Sequence, residues 1–281
     1  MKINFARVAL LSCALASMIS ARAQDTRAAI TPVNHLELFN GSDFTGWTFC
    51  MKDNADPLQT WSATNGVIHC TGKPTGYLRT TQAYSNYVLT VEWRFVKIAP
   101  KADNSGVLVH IQPPDKVWPM CVQNQGKSGR QGDLFVMAGA ECKEHKGQDA
   151  NTPVPLRGEP NEKSIGEWNT NVTVCAGNDV KAIINGKLLN EITECTVSSG
   201  FIGIQSEGAD IEIRKISLEP LKLTHVAAVC PPSAVLLRRT GDRRHLSDPH
   251  RAPLQNLIRF VLADATSPAS RPSRQTADDR A

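Results

Sequence analysis

The sequence predicts an all-β domain, built as a sandwich or barrel of antiparallel strands. Short segments of alternating or β-branched apolar residues recur along residues 35–221, and turn signals separate them every eight to fifteen residues. No amphipathic segment of helix length lies between them. Antiparallel sandwiches and barrels have this pattern. We therefore expect helix only in short turns.

Residues 1–23 have the composition of an export signal. Lys2 and Arg7 precede an apolar run over residues 8–19, and Ala-Arg-Ala at 21–23 matches the small-x-small pattern of a cleavage site. We expect cleavage after residue 23, a linker over residues 24–34, and a periplasmic or secreted protein. A buried N-terminal helix is the alternative. No other segment is long and apolar enough to predict a transmembrane span.

Seven strands follow from residue patterns in the core. In residues 87–95, Thr90, Glu92 and Arg94 alternate with apolar residues and share one face. The Asn-Gly pair at 185–186 is the preferred pair of a type I′ turn, because both central residues need positive φ. It predicts a hairpin between two strands. The seven predicted strands are residues 87–95, 105–111, 171–175, 180–184, 187–192, 200–205 and 211–218.

The segment from residue 222 to 281 differs in composition from the core. It contains one Lys, nine Arg, five Asp and no Glu, which gives about +5 against +4 for the whole protein. No sustained period of 2 or 3.6 is present, so we predict a disordered basic tail. An arginine-rich arm for anionic partners is the alternative, but aromatic residues are nearly absent and an exported protein seldom meets nucleic acid. We therefore expect no nucleic-acid partner.

Seven of the eight cysteines follow the predicted signal, and six of these lie in the core. In an oxidising compartment they indicate disulfides, and no CxxC spacing indicates a zinc site. Six cysteines allow fifteen connectivities, among which the sequence does not choose. Buried free thiols are the alternative for any one of them.

A series of distinctive short stretches begins with LFNGSDFTGW at 38–47 and continues at 61–68, 89–95, 104–107, 166–170, 184–187, 200–205 and 211–216. In this order they resemble the motifs of the 3-keto-disaccharide hydrolase family, formerly a domain of unknown function, whose opening motif is LFNGxDxxGW. The resemblance implies a concanavalin-like jelly roll, in which two antiparallel sheets form the sandwich and one concave face holds sugar.

The resemblance also implies a reaction. Members cleave glycosides whose C3 hydroxyl is oxidised to a ketone, by elimination and then hydration. The ketone acidifies the C2 proton, so the site needs a base, a group that stabilises the enolate oxygen, and a proton donor. The implied partner is a small carbohydrate. No cofactor is indicated, although a divalent ion remains open and no residue pattern suggests its ligands.

Three residues are candidates for the base, in the order Glu92, His110, Glu207. Glu92 stands on a predicted strand and is either solvated or part of the sugar-binding face. His110 would titrate near neutral pH, but a lone strand histidine is more often structural. Glu207 ends a strand beside Gln205, in polar groups suited to hydroxyl recognition or in a simple turn.

Further residues are candidates for substrate binding. Glu167, Trp168 and Asn169 combine a carboxylate, a ring that stacks on sugar and an amide; alternatively, Trp168 is core and its neighbours anchor a loop. The remaining binding candidates are Arg94, Asn104, Gln123, Gln125 and Gln205.

Position 123 departs from the family pattern. Residues 120–126 occupy the place of an E-V-Q strand, so Gln123 stands where members have a carboxylate and Gln125 agrees with them. An amide neither takes up a proton as a carboxylate does nor binds a divalent ion as tightly. A shifted register would instead place Cys121 there.

Two other functions remain open. The amide at Gln123 favours a non-catalytic carbohydrate-binding module on the same fold. An endoglycanase of this fold would need an acidic run such as E-x-D-x-E, and the sequence has none. Oligomeric state is not specified by the sequence.

Overall fold

A computed structural model describes residues 28–97, 104–149 and 151–222. The strands are β1 Leu36–Glu37, β2 Trp47–Met51, β3 Trp61–Thr64, β4 Val67–Cys70, β5 Gly76–Thr80, β6 Tyr87–Lys97, β7 Gly106–Ile111, β8 Cys121–Gln125, β9 Leu134–Met137, β10 Asn169–Ala176, β11 Asp179–Ile184, β12 Lys187–Ile192, β13 Phe201–Ser206 and β14 Asp210–Pro220. The helices described are three-residue 3-10 turns at Lys52–Asn54, Pro57–Gln59 and Lys143–His145. The predicted all-β class is confirmed.

The strands form two antiparallel sheets, as the jelly-roll expectation requires. The eight-stranded sheet has the order β12-β11-β10-β6-β14-β4-β3, and β1 also pairs with β14. The six-stranded sheet has the order β2-β5-β13-β7-β8-β9. Neighbouring strands are often distant in sequence, as expected for a sandwich with long connections between its sheets.

The hydrophobic core lies between the sheets and fixes which residues face outwards. Val91 and Trp93 of β6 pack in one buried cluster with Val107, Val109 and Val122 of the six-stranded sheet. Successive side chains on a strand point to opposite faces. The residues between these core positions therefore lie on the outer faces of the two sheets.

A buried polar contact fixes the orientation of β8. Asn124 is fully buried, and its Nδ2 donates to Asn171 Oδ1 and Thr173 Oγ1 of the opposite sheet, both at 2.9 Å. These bonds satisfy the Asn124 Nδ2 group, whereas Asn124 Oδ1 and Asn171 Nδ2 are buried without a partner among the described residues. Since Asn124 points inwards, Gln123 and Gln125 point to the outer face of the six-stranded sheet.

The predicted hairpin is present between β11 and β12. Asn185 and Gly186 have φ values of 48° and 80°, as a type I′ turn requires. The Asn185 side chain also accepts a hydrogen bond from the Thr170 amide at 2.9 Å. The turn therefore anchors the start of β10 as well as closing its own hairpin.

The six cysteines in the described residues are free thiols, five of them buried. Within the same residues, no helix has the length and apolar character needed to cross a bilayer. The predicted signal peptide, residues 24–27 of the predicted linker and residues 223–281 of the predicted basic tail lie outside the described residues.

Candidate functional site

Three glutamines form a cluster on the outer face of the six-stranded sheet. Gln123 and Gln125 come from β8 and Gln205 from β13, and their exposed fractions are only 4%, 6% and 2%. Strand β7 separates β13 from β8 in the sheet, so the side chains converge above it. We call Gln123, Gln125 and Gln205 the amide cluster.

Hydrogen bonds define the direction of each amide in this cluster. The backbone N–H of Gly126 donates to Gln125 Oε1 at 3.0 Å, which identifies that atom as an acceptor. The Gln123 atom 3.0 Å away must then be the donor Nε2, and it also donates to Gln205 Oε1 at 3.1 Å. Gln123 is thus held as a donor between two carbonyl oxygens, a role that a carboxylate cannot fill.

Glycine at position 106 leaves the space that Gln123 occupies. Gly106 on β7 lies opposite Gln125, and a Cβ at this position would stand 2.6 Å from Gln123 Nε2. A contact this short forces one of the two side chains to move. The NSG segment therefore provides room for the amide cluster.

Glu207 and Asn104 adjoin the cluster at the end of β13. Glu207 is two residues beyond Gln205 and shares its face, and Asn104 Nδ2 donates to Glu207 Oε2 at 2.6 Å. Burial raises the pKa of the Glu207 carboxyl, and the charge of Lys127 partly opposes this rise. The result is a half-buried, positioned carboxyl whose pKa moves towards neutrality, as a general base requires.

Apolar residues and an ion pair border the amide cluster on this face. Tyr77 lies opposite Gln205 and Leu108 opposite Gln123 in the strand register, and both belong with Phe201 to a second buried cluster. Arg79 makes a bidentate pair with Asp115, in which Nε and the second guanidinium nitrogen each lie 2.8 Å from a carboxylate oxygen. Its guanidinium carbon also lies 4.0 Å from the centre of the Phe201 ring.

The structure corrects the interpretation of His110 as an accessible base. His110 is fully buried, its Nδ1 lies 3.2 Å from the carbonyl of Val197, and its ring packs edge-on against Tyr87. Burial lowers its pKa to about 4. His110 is neutral at physiological pH and belongs to the core.

The structure places Glu92 and Arg94 on the other sheet. Both lie on the outer face of β6 in the eight-stranded sheet, as their alternation predicted. Arg214 Nε donates to Glu92 at 2.7 Å and Arg94 Nε donates to Glu212 at 2.8 Å. The Trp168 ring lies against both guanidinium groups, at 4.5 Å from Arg214 and 4.6 Å from Arg94.

Glu92, the first-ranked candidate for the base, therefore lies away from the amide cluster. Glu92 is ion-paired on the opposite side of the sandwich from the amide cluster, so Glu92 and Glu207 cannot act on one sugar. Of the three candidates, Glu207 is the one that shares the face of Gln205 and Gln123.

Glu167 and Asn169 organise the segment that leads into β10. Asn169 is 2% exposed, and its Oδ1 accepts hydrogen bonds from the Lys163 amide at 2.8 Å and from Asn185 Nδ2 at 2.9 Å. Glu167 is exposed and accepts a bond from the Ser164 amide at 3.2 Å. These contacts match the alternative in which both residues anchor a loop.

A family model for the 3-keto-alpha-glucoside-1,2-lyase-like domain matches residues 35–219. The chain belongs to this family. The match spans the whole sandwich and agrees with the resemblance inferred from the sequence motifs. A comparison with curated proteins gives no significant match.

Solved structures share the fold of this lyase-like domain. A protein of Parabacteroides distasonis, named as a proposed glycosyl hydrolase, has 20% identity and a TM-score of 0.51, covering 67% of this chain and 94% of its own. A structure from work on endo-acting O-glycanases of the human gut microbiota has 10% identity and a TM-score of 0.51, covering 68% and 99%. The carbohydrate-binding module CBM66 of Bacillus subtilis has 12% identity and a TM-score of 0.45, covering 64% and 97%. At these identities the likeness shows the fold alone.

Three residues at or near this face of the lyase-like domain were not predicted from the sequence as site residues: Lys127, Arg79 and Asp115. Lys127 lies two residues after Gln125, and alternation beyond β8 would have placed it on the same face. Arg79 was missed because β5 was not assigned as a strand. Asp115 lies in the connection between β7 and β8, where no periodic pattern indicates a partner.

The titratable groups of the described residues provide no metal cluster. Within residues 28–97, 104–149 and 151–222, no group of three or more His, Cys, Asp or Glu side chains could hold an ion. The expectation that this lyase-like domain needs no cofactor remains a prediction.

Proposed function

We propose that this protein is an exported carbohydrate-active enzyme that cleaves 3-keto-glycosides, including 3-keto-disaccharides, at the outer face of the six-stranded sheet. The observation that carries the proposal is the positioned carboxyl of Glu207. It is bound by Asn104, has a raised pKa and adjoins the amide cluster. Family membership supplies the reaction class, and this geometry supplies a base.

In the proposed reaction, the Glu207 carboxylate removes the C2 proton and the C2–H electrons form an enolate with the C3 carbonyl. The enolate then re-forms the ketone, a C1–C2 double bond forms, and the C1–O bond breaks as the leaving oxygen is protonated. Water adds to C1 and a proton returns to C2. No covalent enzyme intermediate is needed.

The neighbouring residues have separate roles in this proposal. Asn104 holds the Glu207 carboxylate in place, and Lys127 supplies positive charge near the developing enolate. The amide cluster offers donors and acceptors to sugar hydroxyls. Arg79, Asp115 and Tyr77 shape the part of the face that borders the amide cluster.

Separate substitutions of Glu207 and Glu92 test the assignment of Glu207 as the base. Glu207→Gln should reduce turnover of a 3-keto-glucoside by roughly 10²- to 10⁴-fold and change affinity little, because a general base typically contributes that much. Glu92→Gln is the matched control on the opposite sheet and should retain the activity. Loss of turnover in the Glu92 variant, with the Glu207 variant active, would refute the assignment.

A non-catalytic carbohydrate-binding module is the second candidate. The amide at position 123, which is fixed as a hydrogen-bond donor, favours it. Calorimetry with the 3-keto-glucoside and its unoxidised parent, beside an assay for released sugar, separates the two functions. Binding of both sugars without turnover of either would favour the module.

Export is tested on the protein recovered from its host. The mature chain should begin at Gln24 and be found outside the cytoplasm. A chain that keeps residues 1–23 in the cytoplasm would refute this part of the proposal.

A further inference from the structure

Two cysteines from distant parts of the sequence meet at one edge of the sandwich. Cys142 lies between β9 and the 3-10 turn Lys143–His145, and Cys195 lies between β12 and β13. Each is only 4% exposed. The segment 138–149, which we call the strap, contains Cys142 and runs alongside the β12–β13 connection.

Backbone hydrogen bonds on both sides hold the cysteines opposite each other. The Lys143 amide donates to the Thr193 carbonyl and the Thr196 amide donates to the Glu141 carbonyl, both at 3.0 Å. This antiparallel arrangement sets residue 142 against residues 194 and 195. Glu194, with φ of 54°, is the additional residue, as in a β-bulge.

Such a position suits a disulfide. Opposed residues that do not bond each other in an antiparallel pair have Cα atoms about 4.5 Å apart, and disulfides require Cα separations of about 4.4 to 6.8 Å. Interaction with Cys195 is the largest cause of the lowered pKa of Cys142, and interaction with Cys142 is the largest cause of the raised pKa of Cys195. Both directions agree with two neighbouring thiols.

The other described cysteines have different neighbours. Cys121 Sγ lies 3.8 Å from Met137 Sδ, and Cys70 interacts with Ser206. Cys175, which is fully buried on β10, is the one further cysteine whose charge acts on Cys195. It is the competing partner that an experiment must distinguish.

We infer that Cys142 and Cys195 form a disulfide under oxidising conditions and thereby clamp the strap to the β12–β13 connection. The two thiols lose two protons and two electrons as the sulfur–sulfur bond forms. An external disulfide, such as oxidised glutathione, takes up both and becomes two thiols. This inference does not depend on the proposed enzyme activity.

Peptide mapping of the full-length protein tests the inference, because trypsin separates the relevant cysteines. Residues 131–143 and 188–214 each contain one cysteine, Cys142 and Cys195, and residues 164–181 contain only Cys175. The folded protein is equilibrated with oxidised glutathione, its remaining thiols are alkylated in denaturant, and the digest is analysed by mass spectrometry. Peptide 131–143 should be linked to peptide 188–214, and reductant should release both.

Other results would overturn the inference. They are complete alkylation of both peptides after oxidation, or linkage of peptide 188–214 to peptide 164–181. The Cys142→Ser variant should leave Cys195 alkylated, while the control Cys121→Ser should keep the link. Reductant should lower the melting temperature of the wild type but not of the Cys142→Ser/Cys195→Ser variant. Should a variant not fold, the wild-type map still decides the question.

Discussion

Replacing Gln123 by glutamate would introduce the carboxylate that the resemblance to the family implies at this position. In this chain Gln123 is 4% exposed and donates to two carbonyl oxygens at 3.0 and 3.1 Å. The Gln125 oxygen cannot turn away without losing the Gly126 amide bond. A carboxylate at 123 would therefore face the Gln125 acceptor with no proton to share, and Gln205 would have to turn its amide to offer a donor.

The folding stability that Gln123→Glu loses relative to wild type should depend on pH. When protonated, the acid can donate one of the two bonds, so the variant loses about 1 kcal/mol. When ionised, it loses the bond to Gln125, and each unit by which burial raises its pKa adds about 1.4 kcal/mol. A rise of about two units would bring the total near 4 kcal/mol.

The direction in which the stability of Gln123→Glu changes with pH follows from proton linkage. The variant carboxyl has a folded-state pKa above its unfolded value of about 4.3, so the folded state binds more protons between those values. The variant should therefore be close to wild type near pH 4 and lose stability, relative to wild type, as pH rises to about 8. Unfolding in urea at several pH values measures the difference.

A matched control and a refuting result complete this prediction. Gln59 is exposed on the turn Pro57–Gln59, so Gln59→Glu should change stability little at any pH. If Gln123→Glu is as stable as wild type at pH 8, the amide cluster does not require a donor at position 123. The account of this departure from the family would then be wrong.

Two further predictions concern positions near the cluster and in the core. Gly106→Ala should displace Gln123 and lower stability by about 1 to 3 kcal/mol, the usual cost of overpacking, which urea unfolding would measure; an unchanged midpoint would contradict the close contact at position 106. His110→Asn keeps a residue type that tolerates positive φ but removes the buried imidazole. Because the folded pKa of His110 is about 4 against 6.5, the wild type should lose up to about 3 kcal/mol as pH falls through that window, and the variant should lack this dependence. Equal pH dependence in both proteins would refute a buried neutral His110.

The strands were predictable because their period of 2 and the Asn-Gly turn are local signals. The face of a side chain within one strand was predictable too, as Glu92 and Arg94 show. The sheet to which each strand belongs was not. Strands β6 and β13 carry similar alternation, yet β6 pairs with β10 and β14 while β13 pairs with β5 and β7. Glu92 and Glu207 thus look alike in sequence and lie on opposite sides of the sandwich.

The face on which His110 lies could not be predicted from the sequence, for a different physical reason. Simple alternation along β7 places residues 106, 108 and 110 on the same outer face. The pairing of β7 with β13 shifts register, since Leu108 lies opposite Gly203 and Ile111 opposite Phe201. His110, with φ of 58°, takes up the additional residue and turns into the core. A bulge of this kind has no reliable sequence signal.

Transfer of the C2 proton is the most direct test of the proposed reaction. The full-length protein is incubated in heavy water with a 3-keto-glucoside, and the released sugar is analysed by NMR for deuterium at C2. The account predicts deuterium at C2, slower reaction of substrate deuterated at that carbon, no cleavage of the unoxidised parent, and loss of these signals in Glu207→Gln but not in Glu92→Gln. Cleavage of the parent glycoside at the same rate, with no deuterium at C2, would contradict elimination and indicate an ordinary glycosidase.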